Sequence, residues 1–163
     1  MNEMVIIGKV INFFGIKGEL KVLSDFEYKD RAFKVGSKVL IKEEELEITS
    51  VRYHKNYILI RVNNLDNINL ITKYIGYNIY MSRLDLMLDN DEYLLDDLIG
   101  SKVIEGDEVI GVVKEIYTNN NTNYVKVVYN NKEYLIPLIP VYIKKFTKED
   151  KKLYTINAKS LII

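Results

Sequence analysis

Residues 4–11 form an apolar run rich in β-branched side chains, Val5, Ile6, Ile7, Val10 and Ile11, and predict a buried strand. Phe13-Phe-Gly-Ile-Lys-Gly18 breaks the run, and Glu19-Leu-Lys-Val-Leu23 then alternates charged and apolar positions, the period of a half-buried strand. Strand, glycine loop and strand predict a hairpin, in which the glycines supply the positive φ or close approach that a residue with a Cβ resists. Residues 24–35, with mixed charges and Phe26 and Phe33, read as a connecting excursion. Residues 38–42 resume a strand, Glu43, Glu44 and Glu45 form its solvated turn, and alternation returns through Leu46, Ile48, Val51 and Tyr53, then through Ile58, Ile60 and Val62. One helix is predicted after Asp66 or Asn67 as cap, with Ile68, Ile71 and Ile75 at helical spacing and Gly76 as the stop. Residues 79–81 return to strand. From residue 82 to 91 the periodicity disappears, acidic residues and Asn take over, and a domain boundary is expected.

The second half repeats the β idiom. Residues 101–105 pair through Gly106 and Asp107 with residues 109–117, and residues 118–123 form a polar loop tip. Residues 124–129 make a strand, Asn130 and Asn131 a tight turn, and residues 132–136 its return. Pro137 and Pro140 remove two amide donors, so the chain there lies at a sheet edge or leaves the sheet. Residues 141–146 and 153–156 supply the last strands, and the apolar Leu161-Ile-Ile163 is expected to dock. Short strands without a βαβ rhythm describe an all-β chain of antiparallel barrels or sandwiches. The expected division is residues 1–84, a linker at 85–91, and residues 92–163.

The length of 163 residues fits two small domains, and 48% hydrophobic residues suffice for their cores. No window resembles a membrane span, the first residues lack a basic signal region, and the chain has no cysteine, so a cytoplasmic location is expected. The 23 basic and 23 acidic residues cancel. Contact with RNA would therefore need a local basic face working beside a protein contact.

No enzyme constellation emerges. The single histidine, His54, has no partners at metal or triad spacing and reads as a surface or hydrogen-bonded residue. Asp96 and Asp97 are adjacent, so on a strand they would face opposite sides. Gly15-Ile-Lys-Gly18 matches the RNA-clamping loop of KH domains, but here it joins two predicted strands rather than helices. Asn120-Asn-Thr122 fits a glycosylation acceptor and reads as loop composition. No metal or cofactor is expected.

Gly8-Lys-Val-Ile-Asn-Phe-Phe-Gly-Ile-Lys-Gly-Glu-Leu-Lys-Val22 resembles the opening signature of the RimM family of ribosome maturation factors. Glu92-Tyr-Leu-Leu-Asp-Asp-Leu-Ile-Gly100, followed by Gly111 and Leu135-Ile-Pro137, is similar to that family's second, PRC-barrel domain. The resemblance implies a translation-factor-like β-barrel joined to a PRC barrel, with one or two short helices and no catalytic activity. It also implies a cytoplasmic monomer that binds small-subunit ribosomal protein nineteen and assists 16S rRNA processing and 30S assembly. Tyr93 and Leu94 fall where the family has tandem aromatics for the ribosomal-protein contact, and Leu95 and Asp97 adjoin them. Lys9, Gly15, Lys17, Gly18 and Lys21 are the implied rRNA contacts, although Gly15 and Gly18 are equally accounted for as glycines that only shape a hairpin. Leu94 replaces a family aromatic, Phe14 stands where a polar residue is common, and Ser160 where a tail glycine is common. Two other readings are a PRC-type module with a different partner, and an enzyme built on a small-molecule-binding barrel.

Overall fold

A computed structural model describes residues 3–162 of the chain; positions 1, 2 and 163 lie outside it. Two compact units, Met1–Met87 and Leu88–Ile163, are described separately.

In the first unit, six strands close into a barrel in the order β1-β2-β5-β4-β3-β6: β1 (Met4–Phe14), β2 (Glu19–Leu23), β3 (Lys38–Ile41), β4 (Glu44–His54), β5 (Tyr57–Val62) and β6 (Asn78–Ser82). A single helical turn, α1 (Lys29–Ala32), sits in the excursion between β2 and β3. Alternation builds the core directly. Leu20 and Val22 of β2 and Ile60 and Val62 of β5 are fully buried, whereas Glu19 and Lys21 face outward between them. Removing such a side chain from water contributes about 1.5–3 kcal/mol before entropic costs. Register shifts in β1 and β4 mark bulges, which bend strands enough to close a small barrel.

The predicted helix over residues 68–75 resolves into two 3-10 turns, Ile68–Leu70 and Thr72–Tyr74. Asn67 does cap the first, its side chain accepting from the Asn69 amide at 2.8 Å. Ile71 joins the two turns at φ −118°, away from helical geometry, and the β-branched Ile68, Ile71 and Thr72 add little helical preference to so short a segment. Glu44 also differs from expectation. The turn is made by Lys42 and Glu43, both with positive φ, while Glu44 opens β4 and accepts from the Tyr74 hydroxyl at 2.6 Å. That bond, with a second from Lys73, holds the Glu44 carboxyl below its usual range.

The second unit is a six-stranded sheet in the order β10-β9-β8-β7-β12-β11, from β7 (Lys102–Glu105), β8 (Glu108–Asn119), β9 (Thr122–Tyr129), β10 (Lys132–Pro137), β11 (Ile143–Thr147) and β12 (Lys152–Thr155). β12 pairs with β7 in parallel, an exception to the antiparallel pattern expected from the sequence. Tyr134 on edge strand β10 and Phe146 on edge strand β11 pack against the same cluster as Leu98, Val103, Val127 and Leu153, so the sheet curls around one core. The Tyr134 hydroxyl donates to the Ile110 carbonyl at 2.8 Å, and burial, with Glu105 and Tyr129 nearby, pushes its pKa up to about 12. The expected loop at residues 118–123 is tighter than predicted. β8 and β9 run on to Asn119 and from Thr122, leaving only Asn120 and Asn121, both with positive φ, as the turn. Pro137 ends β10 at the sheet edge. Leu161 and Ile162 pack on the core, while Ile163 of the expected docked tail lies outside the described residues.

Candidate functional site

The segment Glu92-Tyr-Leu-Leu-Asp-Asp-Leu lies near the start of the second unit and ends in a 3-10 turn, Leu95–Leu98, which carries Asp96 and Asp97. Its conformation is fixed through Leu94. The Leu94 amide donates to Asp97 Oδ2 at 2.8 Å, and the Asp97 amide donates to the Leu94 carbonyl at 2.9 Å. Leu94 is 5% exposed and Leu98 0%, so both point inward. Tyr93 and Leu95 lie half-buried over the core, and the Tyr93 ring meets Phe146 edge-on with centroids 4.9 Å apart. Burial raises the Tyr93 phenol above its ordinary pKa. Two lysines of the β11–β12 turn clamp the segment's backbone: Lys148 donates to the Asp89 carbonyl at 3.1 Å and Lys151 to the Ile99 carbonyl at 2.8 Å. Asp91, Asp96 and Ile99 are exposed beside this platform. The surface presents an aromatic and aliphatic patch framed by carboxylates, chemistry that favours a basic ligand.

A second surface forms on the outside of the first barrel. Cross-strand partners share a face, and register places Lys21 of β2, Leu59 of β5 and Arg52 of β4 in one row. Leu59, on the same side of the sheet by register, is 0% exposed. Arg52 donates two bonds of 2.8 Å to Glu19 and lies 5.3 Å from the Phe14 ring centroid. Phe14 in turn lies 5.0 Å from the His54 ring, and Lys21 Nζ sits 4.1 Å from the Tyr57 centroid. The Arg52 hydrogen bond outweighs the opposing effect of burial and holds the Glu19 carboxyl below its usual range. Cations interleaved with aromatic rings on an outward sheet face are the chemistry that meets phosphates and stacked bases.

The residues expected at the RNA contact are dispersed relative to this face. Lys21 belongs to it. Lys17 is exposed in the turn after β1. Lys9 lines a recess of 320 Å³ together with Asp25, an unfavourable neighbour for a phosphate. Gly15 has open space around it, whereas a Cβ on Gly18 would lie 2.2 Å from the Leu65 carbonyl oxygen, so Gly18 serves the packing of the turn. Sequence reasoning missed Arg52, Tyr57 and the Phe14–His54 pair as parts of one surface. The available signal was the basic and aromatic run Arg52-Tyr-His-Lys-Asn-Tyr57 across the β4–β5 turn.

Among the described residues no group of three or more His, Asp or Glu side chains could hold a metal ion. An open groove of 660 Å³ in the first unit is lined by Met4, Val39 and Leu46 with Lys38, Glu47 and Asp85, and Glu47 is already paired with Lys38. The charge is partitioned: Met1–Met87 carry thirteen Lys or Arg against eleven Asp or Glu, Leu88–Ile163 ten against twelve. A neutral chain is thus a mildly basic barrel followed by a mildly acidic unit.

Residues 5–86 match the RimM N-terminal domain, and residues 90–162 match the PRC-barrel domain. A ribosome maturation factor RimM of Staphylococcus haemolyticus is 36% identical over 154 residues, covering 90% of this chain and 92% of its own. One of an Exiguobacterium species is 32% identical over 158 residues, covering 93% and 92%. A crystal structure from Pseudomonas aeruginosa, named as a 16S ribosomal RNA processing protein RimM, aligns with 96% of this chain and 99% of its own at 22% identity and a TM-score of 0.47.

Proposed function

Because the chain belongs to the RimM family of ribosome maturation factors, we propose that it acts without catalysis, as a cytoplasmic monomer, on the immature 30S subunit. The second unit grips small-subunit ribosomal protein nineteen, while the outer face of the first barrel lies against unprocessed 16S rRNA. The observation that carries this reading is the Tyr93–Phe146 platform, held rigid by the Leu94–Asp97 hydrogen bonds and bordered by exposed Asp91 and Asp96. Tyr93 and Leu95 supply the contact surface. Leu94 and Asp97 act from beneath, fixing the segment that presents them. On the barrel, Lys17 and Lys21 meet phosphates, Arg52 is held beside them by Glu19, and Phe14, His54 and Tyr57 offer ring surfaces. Charge complementarity supports the division of labour, since ribosomal proteins are basic and RNA is acidic.

The test is titration calorimetry against the purified ribosomal protein. Tyr93→Ala should weaken binding by about 2 kcal/mol, roughly thirtyfold, in a variant with unchanged circular dichroism. Asp91→Lys with Asp96→Lys alters only exposed side chains and should weaken binding in a salt-dependent way. Unchanged affinity in both folded variants removes the assignment.

A further inference from the structure

The sheet of the second unit carries lysines on its outer side that the Tyr93 platform does not use. Residues in register share a face, so Lys145 of β11 lies with Tyr154 of β12, and Thr147 with Lys152. In the parallel pair, Lys152 then lies beside Lys102 of β7, and Tyr154 beside Ile104. Leu153, Phe146 and Val103 alternate with these residues and pack into the core, which places the lysine row on the opposite, outer side. Lys145, Lys152 and Lys102 therefore form a band across three adjacent strands with Tyr154 among them. Lys145 Nζ lies 4.9 Å from the Tyr154 ring centroid. Lys102 and Lys145 are exposed, and among the described residues no carboxylate pairs with either. Lys152 has only a long contact of 3.7 Å to Asp150 at the end of the band.

Protection of a sheet edge explains Lys144 and Lys145, because β11 is an edge strand and charged side chains discourage further pairing there. It does not explain Lys152 and Lys102, because β12 and β7 are interior strands. Neighbouring strands run about 4.8 Å apart, so two lysines in register on one face repel each other in the free protein. A row of anions lying across them would turn that repulsion into attraction.

We infer that the outer face of β11, β12 and β7 is a second RNA-contacting surface, at which Lys145, Lys152 and Lys102 bind consecutive phosphates of an RNA strand without reading its sequence. The choice of RNA as the polyanion rests on the proposed role in ribosome maturation; the band itself rests on register and burial alone. A lysine ammonium contacts phosphate as a point charge, which suits backbone binding independent of base identity.

The experiment uses the full chain and a short fluorescein-labelled single-stranded RNA, with anisotropy followed across a salt series. Lys102→Ala, Lys145→Ala and Lys152→Ala combined should lower the slope of log affinity against log salt by about 2 and weaken low-salt binding roughly tenfold. The same variant should unfold at an unchanged or higher temperature, since it removes a like-charge contact, and should bind ribosomal protein nineteen as the unaltered chain does. The variant Lys17→Ala with Lys21→Ala, measured in parallel, reports the first barrel separately, so failure of the band and failure of the proposed function are distinguishable. An unchanged slope and affinity in the triple variant overturn the inference. So does unchanged RNA binding accompanied by lost binding to phosphatidylglycerol vesicles, which would assign the band to an anionic membrane surface.

Discussion

Gly15 and Gly18 have the same residue type and both have positive φ, but their surroundings give them different roles. At Gly15 a Cβ meets nothing within 4 Å, so Gly15→Ala costs only the left-handed strain of about 1–2 kcal/mol. At Gly18 the Cβ would lie 2.2 Å from the Leu65 carbonyl oxygen and 2.9 Å from its carbon, so two backbone segments must separate. Gly18→Ala is expected to cost more than about 3 kcal/mol by urea unfolding. Equal destabilisation by the two substitutions would contradict this assignment. The motif in the sequence treats the two glycines alike because Leu65, which distinguishes them, is remote along the chain. Leu94 and Tyr93 teach the same lesson: adjacent apolar residues, of which one is 5% exposed and the other meets Phe146 at the surface.

Among the elements, those built on local alternation are legible in the sequence. β2 runs over Glu19–Leu23, where Glu19, Leu20, Lys21 and Val22 alternate charged and apolar and the exposed Leu23 ends the pattern. Alternation reports which face a side chain takes, and says nothing of which strand lies next to it. The parallel pairing of β12 with β7 and the row that joins Lys21 to Arg52 through Leu59 are therefore not legible in the sequence. The isoleucine spacing that predicts a helix over residues 68–75 is met as well by two successive 3-10 turns: the first buries no side chain, Ile71 between them is fully buried, and the second buries Tyr74. The 3-10 turn Leu95–Leu98 depends on Asp97 as a side-chain acceptor for the Leu94 amide. Asp97→Ala is expected to destabilise the second unit by about 1 kcal/mol, the usual effect of losing a cap. It should also reduce affinity for the ribosomal protein, since Tyr93 and Leu95 lose their fixed presentation; a calorimetric titration showing undiminished affinity despite the lost stability would separate the turn from the binding surface.

For the molecule as a whole, net neutrality conceals a division between a basic barrel and an acidic second unit, and within that second unit between a carboxylate-framed platform and a lysine band. The two-barrel plan and the family were readable from short motifs because those motifs fall at turns and at the start of the second unit, where backbone geometry restricts residue choice. The two surfaces proposed to meet RNA were not, because each gathers residues from three or more strands. One carboxylate-framed surface and two basic ones suit the proposed role of holding a ribosomal protein and the surrounding RNA together during assembly. The most direct measurement is co-sedimentation of the full chain with purified ribosomal particles on a density gradient. The account predicts that it travels with immature small subunits and not with mature ribosomes, and that Tyr93→Ala shifts it to the top of the gradient. Equal association with mature and immature particles, or absence from all subunit fractions, would contradict it.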